Sequence, residues 1–381
     1  MSALSAAFVL LLASAYLIGV TAAAWCFARR RIVAPLHEPA CAPPVSVLKP
    51  LYGAEPGLAE NLRSFADQDY PAFQLVLGIR DRNDPALPIA RGLIRERPER
   101  DIVLVVDPRT EGSNLKVANL ENMLPSARHE IIVISDSDMR VRPDYLRTVT
   151  APLADPRTGL VTCLYKGVPI GGLWSMLAAL YINFGFLPGA LAGEALAVGG
   201  GCFGATLALR RCVLDRIGGF ARLRNELADD HRMGAAVRRL GLATVLSAYI
   251  VENRVCEPTL ESLWRHELRW ARTSRAMAPA PFVGWVISHT VALSVLAAIG
   301  LGLPAAPGVV LPALLLRWAA AAATARWLDL PRRGLWLLPV RDVLSFAVYV
   351  ASFCGRSVSW RNHRFRIDPG GRIRVEGDKP V

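Results

Sequence analysis

The sequence is poor in the residues that build disulfide frameworks and soft-metal sites. Its 381 residues include seven cysteines and six histidines. Cys26, Cys41, Cys163, Cys202, Cys212, Cys256 and Cys354 form no C-x-x-C pair. An odd, scattered set excludes a disulfide scaffold and a zinc-ribbon site, and it fits a reducing compartment. The histidines show no H-E-x-x-H spacing. A metal bound by this chain should therefore be a hard ion held by carboxylates. Acidic residues are also outnumbered, 32 against 44 basic, leaving a net charge of +12.

Apolar residues are abundant, at 52% of the chain beside 20% charged, a mixture that excludes a disordered polymer. They are unevenly spread. Ser5–Phe27 is a continuous apolar run of bilayer-spanning length, followed at once by Arg29, Arg30 and Arg31. A basic cluster after the run, rather than before it, argues against a cleaved signal peptide. The positive-inside rule then sets the N-terminus outside and everything after Arg31 in the cytoplasm.

Three more apolar stretches, Phe282–Leu303, Val309–Leu328 and Leu335–Cys354, follow Pro281. Arg317 and the pair Arg341 and Asp342 interrupt the last two and must be paired or face protein. The expected organisation is an anchor at 1–31, a cytoplasmic domain at 32–280, a membrane region at 281–355 with two to three crossings, and a basic tail at 356–381. Three crossings would leave that tail outside, against the charge rule. Ile170–Ala192 is apolar as well, but Tyr181, Asn183, Pro188 and glycines interrupt it. A single crossing there would part Asp136 from Asp230. It is expected to be a buried or membrane-surface helix of the central domain.

From Val45 onward, short β-branched runs alternate with amphipathic stretches. Strands are predicted at Val45–Leu48, Gln74–Ile79, Ile102–Val106, Ile131–Ser135, Leu160–Leu164, Phe203–Leu209 and Thr244–Ser247. Helices are predicted at Gly57–Asp67, Pro85–Arg95, Leu115–Met123 and Asp144–Leu153. This alternation implies an α/β domain with a mostly parallel sheet, helices on both faces and ligands at the carboxyl ends of the strands.

The chemistry-bearing residues fall at those ends. Ile131–Ile134 leads into Ser135-Asp136-Ser137-Asp138, and alternation turns Asp136 and Asp138 toward one face. Two such carboxylates suit Mg²⁺ or Mn²⁺ that also takes phosphate and water oxygens; a polar turn after a buried strand is the alternative. Asp81, after the second strand, suits a nucleobase or ribose contact, or a cap for the helix at Pro85. Gly112-Ser113-Asn114-Leu115-Lys116 places amides and an ammonium where a helix begins, which suits a phosphate-rich ligand or simply a solvated loop. Asp229 and Asp230 open a helical stretch reaching Leu240. They either complement its macrodipole or include a general base. His266-Glu267-Leu268-Arg269-Trp270 lies just before the C-terminal apolar region, where Arg and Trp also serve as interfacial anchors.

In order, Asp81, Asp136-Ser137-Asp138, Asp230 and His266-x-x-Arg269-Trp270 resemble the D, DxD, D, (Q/R)xxRW series of family 2/21-type inverting glycosyltransferases. Leu48-Lys49-Pro50-Leu51-Tyr52-Gly53, Asn61-Leu62 and Asp69-Tyr70-Pro71 narrow the resemblance to the ceramide glucosyltransferase group, which has a bacterial, hopanoid-associated branch. The resemblance covers about Val45 to Trp270 plus the flanking apolar segments. It implies a GT-A (Rossmann-like) nucleotide-sugar-binding domain with one N-terminal and two to three C-terminal transmembrane helices, in an integral protein of the bacterial inner membrane. Carried over by position, Asp81 contacts the uridine, Asp136 and Asp138 hold a divalent cation (Mg²⁺ or Mn²⁺) and the donor diphosphate, and Lys116 is a further donor contact. Asp230 becomes the catalytic base, and Arg269 and Trp270 meet the diphosphate and acceptor entrance. His266 stands where the family has Gln or Arg.

The partners so implied are a UDP-sugar donor, a membrane lipid acceptor and the bilayer. The leaning is toward N-acetylglucosamine transfer to a hopanoid polyol, with glucosylceramide synthesis as the alternative. A processive polysaccharide synthase or a non-catalytic membrane scaffold are remoter readings. Nucleic acid is not an expected partner, because the basic residues are spread out, partly juxtamembrane, and outside any recognised binding module.

Overall fold

The computed structural model describes residues 3–33, 42–196, 201–360, 363–368 and 370–375. They form two compact units. One comprises the described parts of 33–166 and 199–256, and the other those of 1–32, 167–198 and 257–381. Cys41 and the last residues of the basic tail, 376–381, lie outside the described residues.

In chain order, α1 (Ala3–Val33) is followed by β1 (Val45–Pro50), α2 (Leu58–Ala66), β2 (Phe73–Ile79), α3 (Ala86–Glu96), β3 (Ile102–Val106) and α4 (Leu115–Met123). Next come β4 (Ile131–Ile134), β5 (Met139–Arg140), α5 (Tyr145–Thr150) and β6 (Thr158–Pro169). A helix then runs as α6 (Leu173–Tyr181), a π turn at Ile182–Phe186, and α7 (Leu187–Ala195). After it stand β7 (Leu207–Arg210), α8 (Arg211–Arg216), α9 (Asp229–Arg239) and β8 (Ala243–Val255). The C-terminal part contains α10 (Leu260–Met277), α11 (Pro279–Gly284), α12 (Thr290–Leu301), α13 (Ala306–Leu328) and α14 (Leu338–Ser352). It ends in β9 (Ser357–Trp360), β10 (His363–Ile367) and β11 (Ile373–Val375).

The first unit is built on an eight-stranded sheet of order β3-β2-β1-β4-β7-β6-β8-β5. Strands β3, β2, β1 and β4 are parallel, with Leu48 beside both Val76 and Ile134. β7 is antiparallel to β4 and β6, and β5 is antiparallel to β8. The sheet is therefore mixed, and the expectation of a mostly parallel one holds only for its first half. The later strands come from chain segments that are not joined by βαβ crossovers, so nothing forces them parallel.

Strand alternation sorts the core. Val45, Val47, Leu75, Leu77 and Val133 pack with Leu58, Leu62 and Phe65 of α2 on one face. Leu48, Val76, Ile132 and Ile134 pack with Val117, Leu120 and Met123 of α4 on the other. Burying each such side chain contributes about 1.5–3 kcal/mol. Because both faces are covered, these strands read as continuous apolar runs, which is why they were visible in sequence.

In the second unit, α1, the α6–α7 helix, α13 and the helix over Leu335–Ser352 are each long and apolar enough to cross a membrane. Pro279–Ser288 and Thr290–Leu301 meet at 70°, so the first predicted C-terminal stretch is a bent pair: one broken span or a re-entrant loop. The interrupting charges are paired. Arg317 Nε and Nη2 donate to Asp342 at 2.7 and 3.0 Å, and Arg341 donates to Glu267 of α10. Residues 357–375, expected as a basic tail, instead include a three-stranded antiparallel sheet of order β11-β10-β9. Val358, Phe365, Ile367 and Ile373 are its buried face. The segment 167–196 was expected within the central domain, but it clusters with the apolar helices. Lys166 before it and the described stretch from 201 after it belong to the sheet unit.

Candidate active site

The carboxyl ends of β1, β2 and β4 carry Lys49, Asp81 and Asp136. Lys49 is fully buried, its Nζ donating to the Asp136 carbonyl and lying 3.8 Å from the Phe65 ring centroid. Burial pushes this lysine down to about 7, against the pull of Asp138, Asp136 and Glu55. Nothing in the sequence pointed to it as a site residue, although it falls in the Leu48–Gly53 segment that carries the family resemblance.

Asp136 and Asp138 follow β4 as expected. Asp136 Oδ1 meets Lys116 Nζ at 2.6 Å, while Asp138 Oδ2 accepts from Asn253 Nδ2 at 2.7 Å. Burial first, then the charges of Glu55 and Asp136, push the Asp138 carboxyl up to about 7.

Lys116 reaches this place because Asn114 caps α4, accepting from the Lys116 and Val117 amides at 3.0 and 3.1 Å. Asn114 Nδ2 also donates to the Glu226 carbonyl at 2.7 Å, and the Asn114 amide donates to the Arg224 carbonyl at 2.7 Å. Gly112, at φ +81, permits that approach; a Cβ there would lie 2.5 Å from Arg224 Cβ. The loop before α4 is thereby fastened to the loop before α9. Lys116 Nζ consequently lies 3.5 Å from Asp229 Oδ2 as well. Burial opposes its charge, but Asp136, Asp229 and Asp230 outweigh that and raise its pKa.

Asp230 Oδ2 accepts from the Gly204 amide and Oδ1 from the His231 amide, both at 2.7 Å. Burial and then the Asp229 charge push its carboxyl up to about 6, while Lys116 and the two amides oppose this. Asp229 is buried and Asp230 is less so, which leaves Asp230 the more accessible of the pair. Opposite them, a Cβ on Gly204 would lie 3.2 Å from Asp230 Oδ2, 3.5 Å from Lys116 Nζ and 3.6 Å from Asp136 Oδ2. The missing side chain leaves a cradle touching all three groups.

Among the described residues, Glu55, Asp136, Asp138, Asp229 and Asp230 thus surround two lysine side chains, Lys49 and Lys116. Asp136 and Asp138 could hold a cation, which fits this charge balance. Among the described residues no three His, Cys, Asp or Glu side chains gather into a protein-only metal cage. Such an ion would complete its shell from ligand and water oxygens, as Mg²⁺ and Mn²⁺ commonly do.

Asp81 is exposed, and its Oδ1 accepts from the Asn83 amide at 2.9 Å in a tight turn. The first amide of α3 is met instead by Asp84, which accepts from Ala86 N at 2.8 Å and from Gly53 N at 2.9 Å. Asp81 is therefore left at the strand end without that duty.

His266, Arg269 and Trp270 stand on α10, in the other unit. His266 Nδ1 lies 2.7 Å from Glu257 Oε1, and the His266 and Trp270 rings meet edge to face with centroids 4.4 Å apart. Tyr181 packs beside Trp270 at 6.3 Å. Glu257 also accepts from Ser262 Oγ, and these partners, with Arg269 nearby, hold its carboxyl low despite burial. Glu257 and Glu267 went unnoticed in sequence because single buried glutamates carry no pattern.

The family model for glycosyl transferase family 21 matches residues 11–373. Ceramide glucosyltransferase 1 of Caenorhabditis elegans is 24% identical over 87% of this chain and 73% of its own length. The ceramide glucosyltransferase of Komagataella phaffii is 34% identical over 26% of this chain and 20% of its own. The mannosyltransferase PcManGT of Pyrobaculum calidifontis, solved with GDP-Man and Mn2+, aligns with TM-score 0.54 at 22% identity. That alignment covers 91% of this chain and 98% of the other, and it shows a shared GT-A-like fold. With the family model matched over nearly its whole length, the chain belongs to glycosyl transferase family 21.

Proposed function

We propose that the protein moves a sugar from a UDP-sugar to a hydroxyl of a membrane lipid with inversion at the anomeric carbon, using Asp230 as the base. The observation that carries this is the Lys116 ammonium joining Asp136 to Asp229, beside an Asp230 carboxylate fixed by two amides. At neutral pH Asp230 is ionised. It takes the proton of the acceptor hydroxyl as that oxygen bonds to the anomeric carbon and the bond to the diphosphate breaks. Asp136 and Asp138 would hold a divalent cation, which when bound would offset the charge of the departing diphosphate. Lys116 fixes Asp136, and Asp81 takes the nucleoside end. Arg269 and Trp270 keep the donor and acceptor roles that the resemblance gives them, and His266, held on Glu257, packs against Trp270.

The relatives' names favour ceramide and glucose over the hopanoid polyol and N-acetylglucosamine suggested by sequence alone. For topology, a re-entrant bent pair leaves α13 and α14 as two C-terminal crossings. The Arg-rich segment after α14 then stays on the cytoplasmic side, in agreement with the charge rule. The test is Asp230→Asn in purified protein given UDP-glucose or UDP-N-acetylglucosamine with ceramide or hopanoid polyol. Transfer should vanish while UDP still binds; retained turnover removes Asp230 as the base, and the pair of substrates used by the wild type names the reaction.

A further inference from the structure

A cavity of about 240 Å³ in the unit of apolar helices is lined by Arg265, Leu268, Arg269 and Arg272 of α10, Ser357–Ser359 of β9, and Arg364 of β10. The α10 positions recur at i, i+3, i+4 and i+7, so one stripe of that helix forms the wall. Among the described residues no carboxylate lines it, and Arg269 has a charge partner, Glu257, outside the lining. Arg265 has a partner outside the lining, Glu261, but both side chains are well exposed and such a pair neutralises little. Arg272 donates to the carbonyls of Cys354 and Ser357, which are neutral, and its buried Nε has no hydrogen-bond partner.

These contacts also place the cavity. Cys354 and Gly355, whose carbonyls receive Arg272 and Arg275, directly follow α14, the end of a candidate membrane span. From Ser352 to Ser357 the backbone covers at most about 18 Å. Where Leu335–Ser352 crosses a bilayer, the guanidinium groups sit at the level where that span leaves the hydrocarbon and headgroups begin. Guanidinium forks match phosphate oxygens in geometry and charge, and Ser357 and Ser359 add hydroxyls.

We infer that this cavity binds the phosphate of an anionic lipid headgroup, whatever the role of Asp230; Arg269 lines it and also carries the donor contact proposed above, so the variants below leave Arg269 in place. The shared chemistry is a phosphate oxyanion, and the test distinguishes lipid from free ion. Full-length protein in an uncharged detergent is titrated with phosphatidylglycerol, phosphatidylcholine or inorganic phosphate, followed by thermal unfolding and native mass spectrometry. Phosphatidylglycerol should raise the unfolding temperature and remain bound, and the other two should do neither at equal concentration. Arg265→Ala with Arg364→Ala should weaken the phosphatidylglycerol effect about tenfold and leave the UDP-induced shift unchanged. If the double variant misfolds, Arg364→Glu, on an exposed strand position, serves alone. Equal effects of phosphatidylcholine, an unaltered variant, or displacement of the lipid by UDP would each overturn the assignment. Displacement by inorganic phosphate would assign the cavity to a free anion instead of a lipid.

Discussion

Arg341 and Glu267 face each other as a bidentate pair, with both N–H···O contacts at 2.7 Å and side chains only 1% and 5% exposed. Glu267 sits inside the His266–Trp270 segment, and the Arg341 guanidinium also lies 5.5 Å from the Tyr181 ring, which packs beside Trp270. One arginine of α14 thus fixes the helix that presents the Arg-Trp pair.

Arg341→Met should destabilise the protein by about 3–5 kcal/mol, because it strands a buried carboxylate. Arg341→Met with Glu267→Leu should restore most of that loss, as apolar replacements of buried pairs commonly do. Transfer should stay impaired in the double variant, since Tyr181 and Trp270 lose their common support. Thermal unfolding and kcat measured on the same samples check this. Full activity in the double variant would make the pair purely structural.

The pH profile follows from Asp230. Its carboxyl, raised to about 6, must be ionised to act, so kcat/KM should fall as pH drops through about 6. Lys116 lowers that value, so Lys116→Met should move the acid limb to higher pH as well as weaken transfer. An acid limb that stays put in Lys116→Met would detach it from Asp230.

Gly204→Ala keeps the amide that holds Asp230 but adds a Cβ 3.2 Å from Asp230 Oδ2 and 3.6 Å from Asp136 Oδ2. A drop in kcat of about tenfold or more is expected, with folding intact by circular dichroism, from the displaced carboxylate. Unchanged turnover would show that the cradle accommodates no reacting group.

Chelation should abolish transfer, and Mg²⁺ or Mn²⁺ should restore it. Asp138→Asn should raise the metal concentration needed for half-maximal rate, because it removes one of the two loop carboxylates. Restoration at wild-type metal levels would point to Asp136 as the sole protein ligand.

The early fold was legible because β1, β2 and β4 are buried on both faces and, with the half-buried β3, stand out as apolar runs between amphipathic helices. The late strands were less so. β7 is four residues long, and its prediction began at Phe203 because the stretch before it is apolar but irregular. The C-terminal sheet hid behind its arginines, although Phe365, Ile367 and Ile373 alternate as a half-buried strand pair should. In the candidate site, Asp136, Asp138, Asp230 and Lys116 could be singled out because strand ends and helix starts are where ligands meet an α/β sheet. Lys49, Glu257 and Glu267 were missed because their roles depend on partners distant in sequence.

The Lys116 contacts have a consequence for biogenesis. Asp136 precedes and Asp229 follows the apolar helix Leu173–Ala195, yet one ammonium touches both. A nascent chain that threaded this helix through the bilayer would leave the two carboxylates in different compartments, and no later rearrangement short of re-extraction would reunite them. Correct insertion is therefore recorded at the lysine itself: only a molecule whose helix was withheld from translocation can assemble the triad.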